Sequence, residues 1–383
     1  MASKTVTLFL AGDVMTGRGV DQVLQHPGEP HLFESYAHSA LDYVELAEQV
    51  NGPIPRPVLF SYPWGVALAE LDRVQPDVRI VNLETAATVA EDAWPGKGIH
   101  YRMHPANMPC LSAARIDCCV VANNHVLDWG RAGLVETLLT LHQHGIKSAG
   151  AGRDAQEAAS PAVIESGRTG RVLVFGFCTR DSGVSDEWAA DQKRAGVNLL
   201  SGLSLAFVDA IAGQVREHRR PGDLIVASIH WGGNWGYAIA AEQREFAHRL
   251  IDRAQVDIVH GHSSHHAKGI ELYCDKLILY GCGDLLNDYE GIGGHESYRA
   301  DLALMYFPTL DRCTGRLLAL KLAALRMRRF RLESASADDV HWLLAMLNRE
   351  GRKLGTAIAL DRDGNLSLTA GACTDQPCRC IHS

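Results

Sequence analysis

Four histidines fall within seven residues in the stretch Asp257-Ile258-Val259-His260-Gly261-His262-Ser263-Ser264-His265-His266. Neutral imidazole is the commonest metal ligand, and the small Gly and Ser neighbours leave these rings unscreened. Metal ligation is the chemistry such a cluster suits; a solvated polar loop is the plain alternative. His262 and His265 alone cannot complete a coordination sphere, so partners must come from elsewhere. Other apolar runs also end in polar residues. Residues 6–11 lead into Gly12-Asp13-Val14-Met15, where a turn or cap aspartate reads as well as a ligand. Residues 78–83 deliver Glu84. Residues 118–122 deliver Asn123-Asn124-His125, with Asp128 close behind. Residues 223–229 deliver His230-Trp231-Gly232. A run over 276–280 is followed by Asp284 and Asp288, acids that could orient ligands or touch substrate.

The elements that must position these groups are short buried strands. Val-Arg-Ile-Val-Asn-Leu at 78–83 and Leu-Ile-Val-Ala-Ser-Ile at 224–229 are near-continuous apolar runs of strand length. The opening cluster reads as a strand over 256–259 that ends in a histidine loop, with Gly261 supplying a sharp turn. Helices are predicted over 39–50, 64–71, 107–114, 131–145, 203–218, 241–254 and 338–350. A hairpin is predicted around 166–170, and antiparallel strands over 301–308 and 317–332 complete a sheet. Strand, polar turn and helix recur, and in α/β proteins chemistry collects outside the carboxyl ends of such strands. Residues 1–370 read as one domain with two excursions, 26–64 and 178–200, long enough to be lids or binding walls. Residues 371–383, with Cys373, Cys378 and Cys380, read as a mobile tail with only weak metal-binding character.

Composition narrows the partners. The chain has 383 residues, 46% of them hydrophobic, 18 histidines and a formal net charge of -8. A binder of phosphate backbones is usually basic, so nucleic acid is disfavoured. No signal peptide or membrane anchor is visible, since no apolar stretch approaches the roughly 18–20 residues of a membrane helix. Cytoplasm is the default location, and the ten cysteines then read as thiols. Lys97, His100, Arg102 and His104 form a basic run that could hold an anion or simply be solvated.

Taken in order, Gly12-Asp13-Val14-Met15, Asn82-Leu83-Glu84, Asn123-Asn124-His125-Val126-Leu127-Asp128-Trp129-Gly130, His230-Trp231-Gly232 and Gly261-His262-Ser263-Ser264-His265 resemble the CapA-type poly-γ-glutamate biosynthesis protein family, a branch similar to calcineurin-like metallophosphoesterases. The resemblance spans roughly residues 5–290. It implies a four-layer α-β-β-α sandwich, two mixed sheets flanked by helices. It implies metal ligands Asp13, Glu84, Asn124, His230, His262 and His265, holding one or two divalent ions. Carboxylate, amide and imidazole donors suit Mn, Fe or Zn, and a carboxylate bridging two ions would activate a water between them. His125 then stands where the phosphoesterase pattern protonates a leaving group, oriented by Asp128. Arg18, Lys97 and Arg102 could bind the anion of a small-molecule or peptide-like substrate.

The pattern also departs from the phosphoesterases. Met15 replaces a histidine, Asn-Leu-Glu replaces Gly-Asp, and two residues separate the last histidines; His260 or His266 could stand in for His265. The implied activity is metal-dependent hydrolysis of a phosphoester or a γ-glutamyl amide bond. The rival is a non-catalytic accessory role in polyglutamate synthesis.

Overall fold

The computed structural model describes residues 4–166, 170–362 and 364–369. The architecture is mixed α/β with two large mixed sheets. Six strands and five helices position the site. The strands are β1 (Thr5–Val14), β2 (Val78–Leu83), β3 (Cys118–Val120), β4 (Leu224–His230), β5 (Ile258–His262) and β6 (Asp284–Leu286). The helices are α1 (Arg18–Val23), α2 (Ala40–Asn51), α3 (Gly130–Gln143), α4 (Leu205–His218) and α5 (Ala241–Ala254).

In the first sheet β1 is central. It runs parallel to β2, and β2 to β3, while Leu302–Asp311 lies antiparallel on the other side of β1. Leu317–Arg328 and the pair Ala357–Leu360 and Leu366–Thr369 continue the antiparallel half. Every residue of β2 and β3 is buried, as expected of parallel strands covered on both faces. The second sheet is parallel at its centre, with Gly170–Thr179, β4, β5 and Lys276–Leu279 side by side. The predicted hairpin forms between Ala162–Ser166 and Gly170–Thr179, although its tip, 167–169, lies outside the described residues, as does the tail 371–383.

The two-residue period of a strand divides the second sheet between two cores. Val172, Val174, Val226 and Ile258 enter the core that also holds β1 and β2. Leu173, Phe175, Ile225, Ala227 and Val259 enter a separate core against α4 and α5. Those helices meet it with Val208, Ile211, Ala212 and Val215, and with Ala247, Leu250, Ile251 and Ala254 beside Phe246, each four the i, i+3, i+4, i+7 stripe of a half-buried helix. Full burial of a side chain such as Phe246 or Leu250 contributes about 1.5–3 kcal/mol. The same alternation points Ser228 and His230 of β4, and His260 and His262 of β5, toward β1. Register places Ser228 opposite His260 and His230 opposite His262.

The predicted histidine loop is thus half strand. β5 runs through His262, and the chain turns only at Ser263, which takes φ 98°. Gly261 is not a turn residue. It lies where a Cβ would stand 2.6 Å from the Leu279 carbonyl oxygen and 2.7 Å from Trp231 Nε1, so its role is close packing. The excursions also contribute structure. Residues 26–64 contain α2 and a small cluster of Leu32, Ala37, Ala40 and Tyr43, while Leu199–Leu200 adds an edge to the second sheet. Six of the described cysteines are free, five of them buried, but Cys274 is disulfide-bonded, contrary to the expectation of thiols throughout. Among the described residues, no helix is long and apolar enough to cross a membrane.

Gly12 lets β1 and β6 meet. A Cβ there would stand 2.0 Å from the Gly283 carbonyl oxygen and 3.0 Å from Cys282 Cβ, and the contact brings Asp13 level with Asp284. Gly12→Ala should therefore cost about 3 kcal/mol or more by overpacking against backbone, read as a lower urea midpoint at unchanged slope.

Candidate metal centre

The ends of five strands converge. Asp13 ends β1, Glu84 follows β2, His230 ends β4, His262 ends β5 and Asp284 opens β6. Ligand atoms of Asp13, His230 and His262 lie within 4.8 Å of one another, and so do those of Asp13, His265 and Asp284. Asp13 belongs to both groups, and all five residues are buried.

Hydrogen bonding determines what the imidazoles present. The Ala11 carbonyl can only accept, so His260 Nε2–H donates to it at 3.0 Å. His260 Nδ1 then accepts from Ser228 Oγ, 3.0 Å away. The Ser228 proton being used, His262 Nε2–H donates to Ser228 Oγ at 3.0 Å. A neutral His262 is left with a bare lone pair on Nδ1, 3.8 Å from Asp13 Oδ1. His230 reaches the same condition from the other side, with Nε2–H donating to Asn124 Oδ1 at 3.1 Å. Its Nδ1 lies 2.9 Å from that of His262. Two lone pairs and a carboxylate therefore face one another. Burial holds both rings neutral, His230 and His262 each lying well below the usual imidazole range, with neighbouring imidazoles adding to the effect.

The carboxylates carry the complementary strain. Burial, then the Asp284 charge, raises the Asp13 carboxyl to about 7. Burial, then Asp13 and Asp284, raises Glu84 well above its ordinary value. Asn82 relieves this in part, its Nδ2 donating to Asp13 Oδ1 at 2.7 Å and to Glu84 Oε2 at 3.3 Å. On the other side, His265 Nδ1 donates to Asp284 Oδ1 at 3.0 Å. Burial opposes the charge on His265, but Asp284 and Asp13 outweigh it and raise the imidazole. A buried set of neutral imidazole nitrogens and crowded carboxylate oxygens fits one or two divalent cations of the Mn, Fe or Zn kind.

Each residue singled out from sequence has a definite place. Asp13, His230, His262 and His265 come together as described. Glu84 Oε1 flanks them, 4.0 Å from His230 Nε2 and 3.8 Å from His125 Nε2. Asn124 orients His230. The stand-ins for His265 are occupied otherwise: His260 by Ala11 and Ser228, and His266 by the N–H of Gly236, which donates to its Nε2 at 3.1 Å. His125 Nδ1 lies 2.7 Å from Asp128 Oδ2, which also accepts from the Tyr101 N–H at 2.6 Å. Lys97 Nζ donates to Asp128 Oδ1 and lies 3.0 Å from His125 Nδ1. Burial and then Lys97 lower His125 to about 4, against the pull of Asp128.

The two arginines are engaged by the protein. Arg18 donates to both oxygens of Asp288, to Glu34 and to Tyr43, all within 2.5–3.0 Å, and its guanidinium lies over the Tyr43 and Tyr101 rings. Arg102 donates to the carbonyls of Ala90 and Glu29 at 2.9 Å and stacks on Trp129. Asp284 is the ligand candidate that sequence reasoning ranked too low. Its signal was present, since Gly283-Asp284 repeats Gly12-Asp13.

Two predictions follow from the proton inventory. Asp13 and Glu84 must release protons to a cation, so metal affinity should rise with pH through about 7. The metal-free protein should lose stability as pH climbs from about 4 toward that value, because the unfolded carboxyls ionise first. Titration of Mn or Zn by calorimetry and urea unfolding across this range check both. Ser228→Ala removes the group that holds the His262 tautomer and should weaken metal binding by about 10–100-fold, while the two buried imidazole nitrogens it leaves unpaired cost about 1–3 kcal/mol, read as a lower urea midpoint.

The family described as "Bacterial capsule synthesis protein PGA_cap" matches residues 7–289. A Mycobacterium tuberculosis protein named "Probable polyglutamine synthesis accessory protein" is 48% identical over 368 residues, which is 96% of this chain and 97% of that protein. The "Capsule biosynthesis protein CapA" of Bacillus anthracis is 21% identical over 290 residues, covering 75% of this chain and 61% of its own. A solved structure titled "GAP50 the anchor in the inner membrane complex of Plasmodium" aligns over 94% of this chain and 99% of its own at 8% identity, with a TM-score of 0.37, a likeness that carries no argument. The stretch that delivers Asp13, Glu84, His125, His230, His262 and Asp284 lies inside the matched residues, and the chain belongs to the bacterial capsule synthesis protein PGA_cap family.

Proposed function

We propose that this chain is a metal-dependent hydrolase acting on a γ-glutamyl amide bond of a polyglutamate-type chain, with a phosphoester as the rival substrate. The observation that carries the reading is Asp13, shared by two buried ligand groups beside the His125–Asp128–Lys97 cluster. Two mixed sheets that meet in one core, with α4 and α5 outside the second, support a four-layer sandwich like that of the metallophosphoesterases. A single domain over 1–370 is the companion reading.

Asp13, His230 and His262 would hold one ion, and Asp13, His265 and Asp284 a second. A divalent ion bound there supplies Lewis acidity toward a carbonyl or phosphoryl oxygen. The protein's own groups do the rest. Asp128 fixes His125 through Nδ1 and leaves Nε2 facing Glu84 as the atom at which a proton is held or passed to a leaving group. Lys97 binds Asp128 and adds positive charge beside a strongly acidic centre. Tyr101 packs edge-on to the His125 ring, with centroids 4.5 Å apart, which limits its rotation and excludes water.

The second reading is an accessory protein of polymer synthesis that binds without turnover. The word "accessory" in the name of the Mycobacterium tuberculosis relative favours it. Elemental analysis and product assay separate the two. Hydrolysis predicts near-stoichiometric Mn, Fe or Zn in chelator-free protein, lost in both His230→Ala and His262→Ala. It predicts release of glutamate from γ-linked oligomers. His125→Gln should keep its metal and lose about 10²–10⁴-fold in kcat. Protein that binds no metal after reconstitution and turns over neither oligomers nor phosphoesters would leave the accessory role.

A further inference from the structure

Beyond the ligand groups, one buried cation stands without a partner. Lys268 is 6% exposed, and among the described residues its Nζ makes no hydrogen bond or ion pair. Its stem passes Gly281, where a Cβ would come within 3.1 Å of Lys268 Cγ and Cδ, and Nζ ends 3.9 Å from the corresponding position at Gly232. There it lines a cleft of about 300 Å³ with Gly232, Gly233, Trp235, Gln243 and Asp181.

The polar groups of this cleft are mostly donors. Gln243 is 7% exposed. It uses Oε1 to accept from the Ala240 N–H at 3.4 Å, leaving Nε2 without an acceptor, 3.0 Å from the Cβ position of Gly232. The N–H groups of Gly232 and Gly233 donate to nothing among the described residues. Asp181 is the one acid; it is exposed and its carboxylate already accepts from the Thr179 hydroxyl. A largely buried ammonium whose one nearby acid, Asp181, favours its charge only in part is poorly compensated, and unpaired donors beside it point to a missing acceptor.

The cleft adjoins the ligand groups. Ser263 Oγ donates to the Gly232 carbonyl at 3.0 Å, and Ser263 N donates to Asp13 Oδ2 at 3.2 Å. The Trp235 ring, which lines the cleft, lies 5.3 Å from that of His265. Arg18, Arg102 and Lys97 are meanwhile held by the protein itself.

We propose that this cleft is a binding subsite for a compact oxyanion, a carboxylate or a phosphate group, gripped by Lys268 Nζ and Gln243 Nε2. That the anion belongs to the substrate processed beside Asp13 rests on the hydrolase reading; the anion site does not. The test is calorimetric titration of metal-stripped, desalted full-length protein with a γ-linked glutamate pentamer and, separately, with inorganic phosphate. The wild type should bind at least one probe, and Lys268→Met and Lys268→Gln should each weaken that binding at least tenfold. Both variants should melt no lower than the wild type, since each removes an unpartnered charge. Binding of the pentamer alone identifies carboxylates as the ligand, and binding of phosphate identifies a phosphoryl group. Wild-type protein that binds neither probe, or variants that bind as tightly as the wild type, would overturn the proposal. Lys268-dependent binding in a protein that proves to have no turnover would leave the subsite standing and remove only the hydrolase reading.

Discussion

The carbonyl oxygen of Ala11 accepts hydrogen bonds and donates none, and the centre depends on that. From it a chain of obligatory donors and acceptors runs through His260 and Ser228 to His262. It ends in a nitrogen lone pair aimed at Asp13. Had the chain started from a donor, His262 would turn an N–H toward the carboxylate, and the pair would satisfy itself as a plain hydrogen bond. Instead three acceptors face each other in a buried space, a condition that a cation, or failing it a proton retained on Asp13, relieves. The contact also ties the sheets together, because Ala11 belongs to β1 and His260 to β5.

Two backbone approaches make this geometry possible. Gly12 lets β6 run against β1, so Asp284 lies beside Asp13, and Gly261 lets β5 lie against the Trp231 indole and the Leu279 carbonyl. Like charges about 4 Å apart repel by about 4 kcal/mol at an effective dielectric near 20. Asp13 and Asp284, whose ligand atoms lie within 4.8 Å, meet that condition in the absence of a cation. The raised carboxyls of Asp13 and Glu84 express the same repulsion as retained protons. Stability is thus spent where binding occurs, and the apolar cores on either side of the second sheet supply the surplus.

Much of this was legible in the sequence. The strands that carry Asp13, Glu84, Asn124 and His230 are apolar runs with polar ends, and their order pointed to one edge of an α/β fold. What was not legible depends on contacts distant in sequence. Whether Arg18 is free for an anion depends on Asp288, 270 residues away. The roles of Gly12 and Gly261 depend on which backbone lies opposite, whereas sequence suggests only close ligands and turns. Among His260, His265 and His266, spacing could not choose. The two-residue period, once the strand is known to continue through His262, turns His260 inward to Ala11. Asp284 stands four residues beyond the end of its apolar run and so looked secondary, although β6 places it level with Asp13.

Charge also orders the events at the site. The chain is net negative, and the exposed acids add to the field of Asp13, Glu84 and Asp284. In the metal-free protein those carboxylates weaken, without abolishing, the hold of Lys268 on an anion. A divalent cation reverses the sign of that field, so the cation and the anion must favour each other's binding, and by linkage the coupling is reciprocal. The cation then has two roles, completing a donor set that cannot satisfy itself and tightening the binding of an anion beside three buried carboxylates. Lys268 stands outside the ligand groups, in a cleft whose Gly232 is tied to Asp13 through Ser263. From there it can hold an anion near the cation without competing for its ligands, which a lysine among the carboxylates could not do.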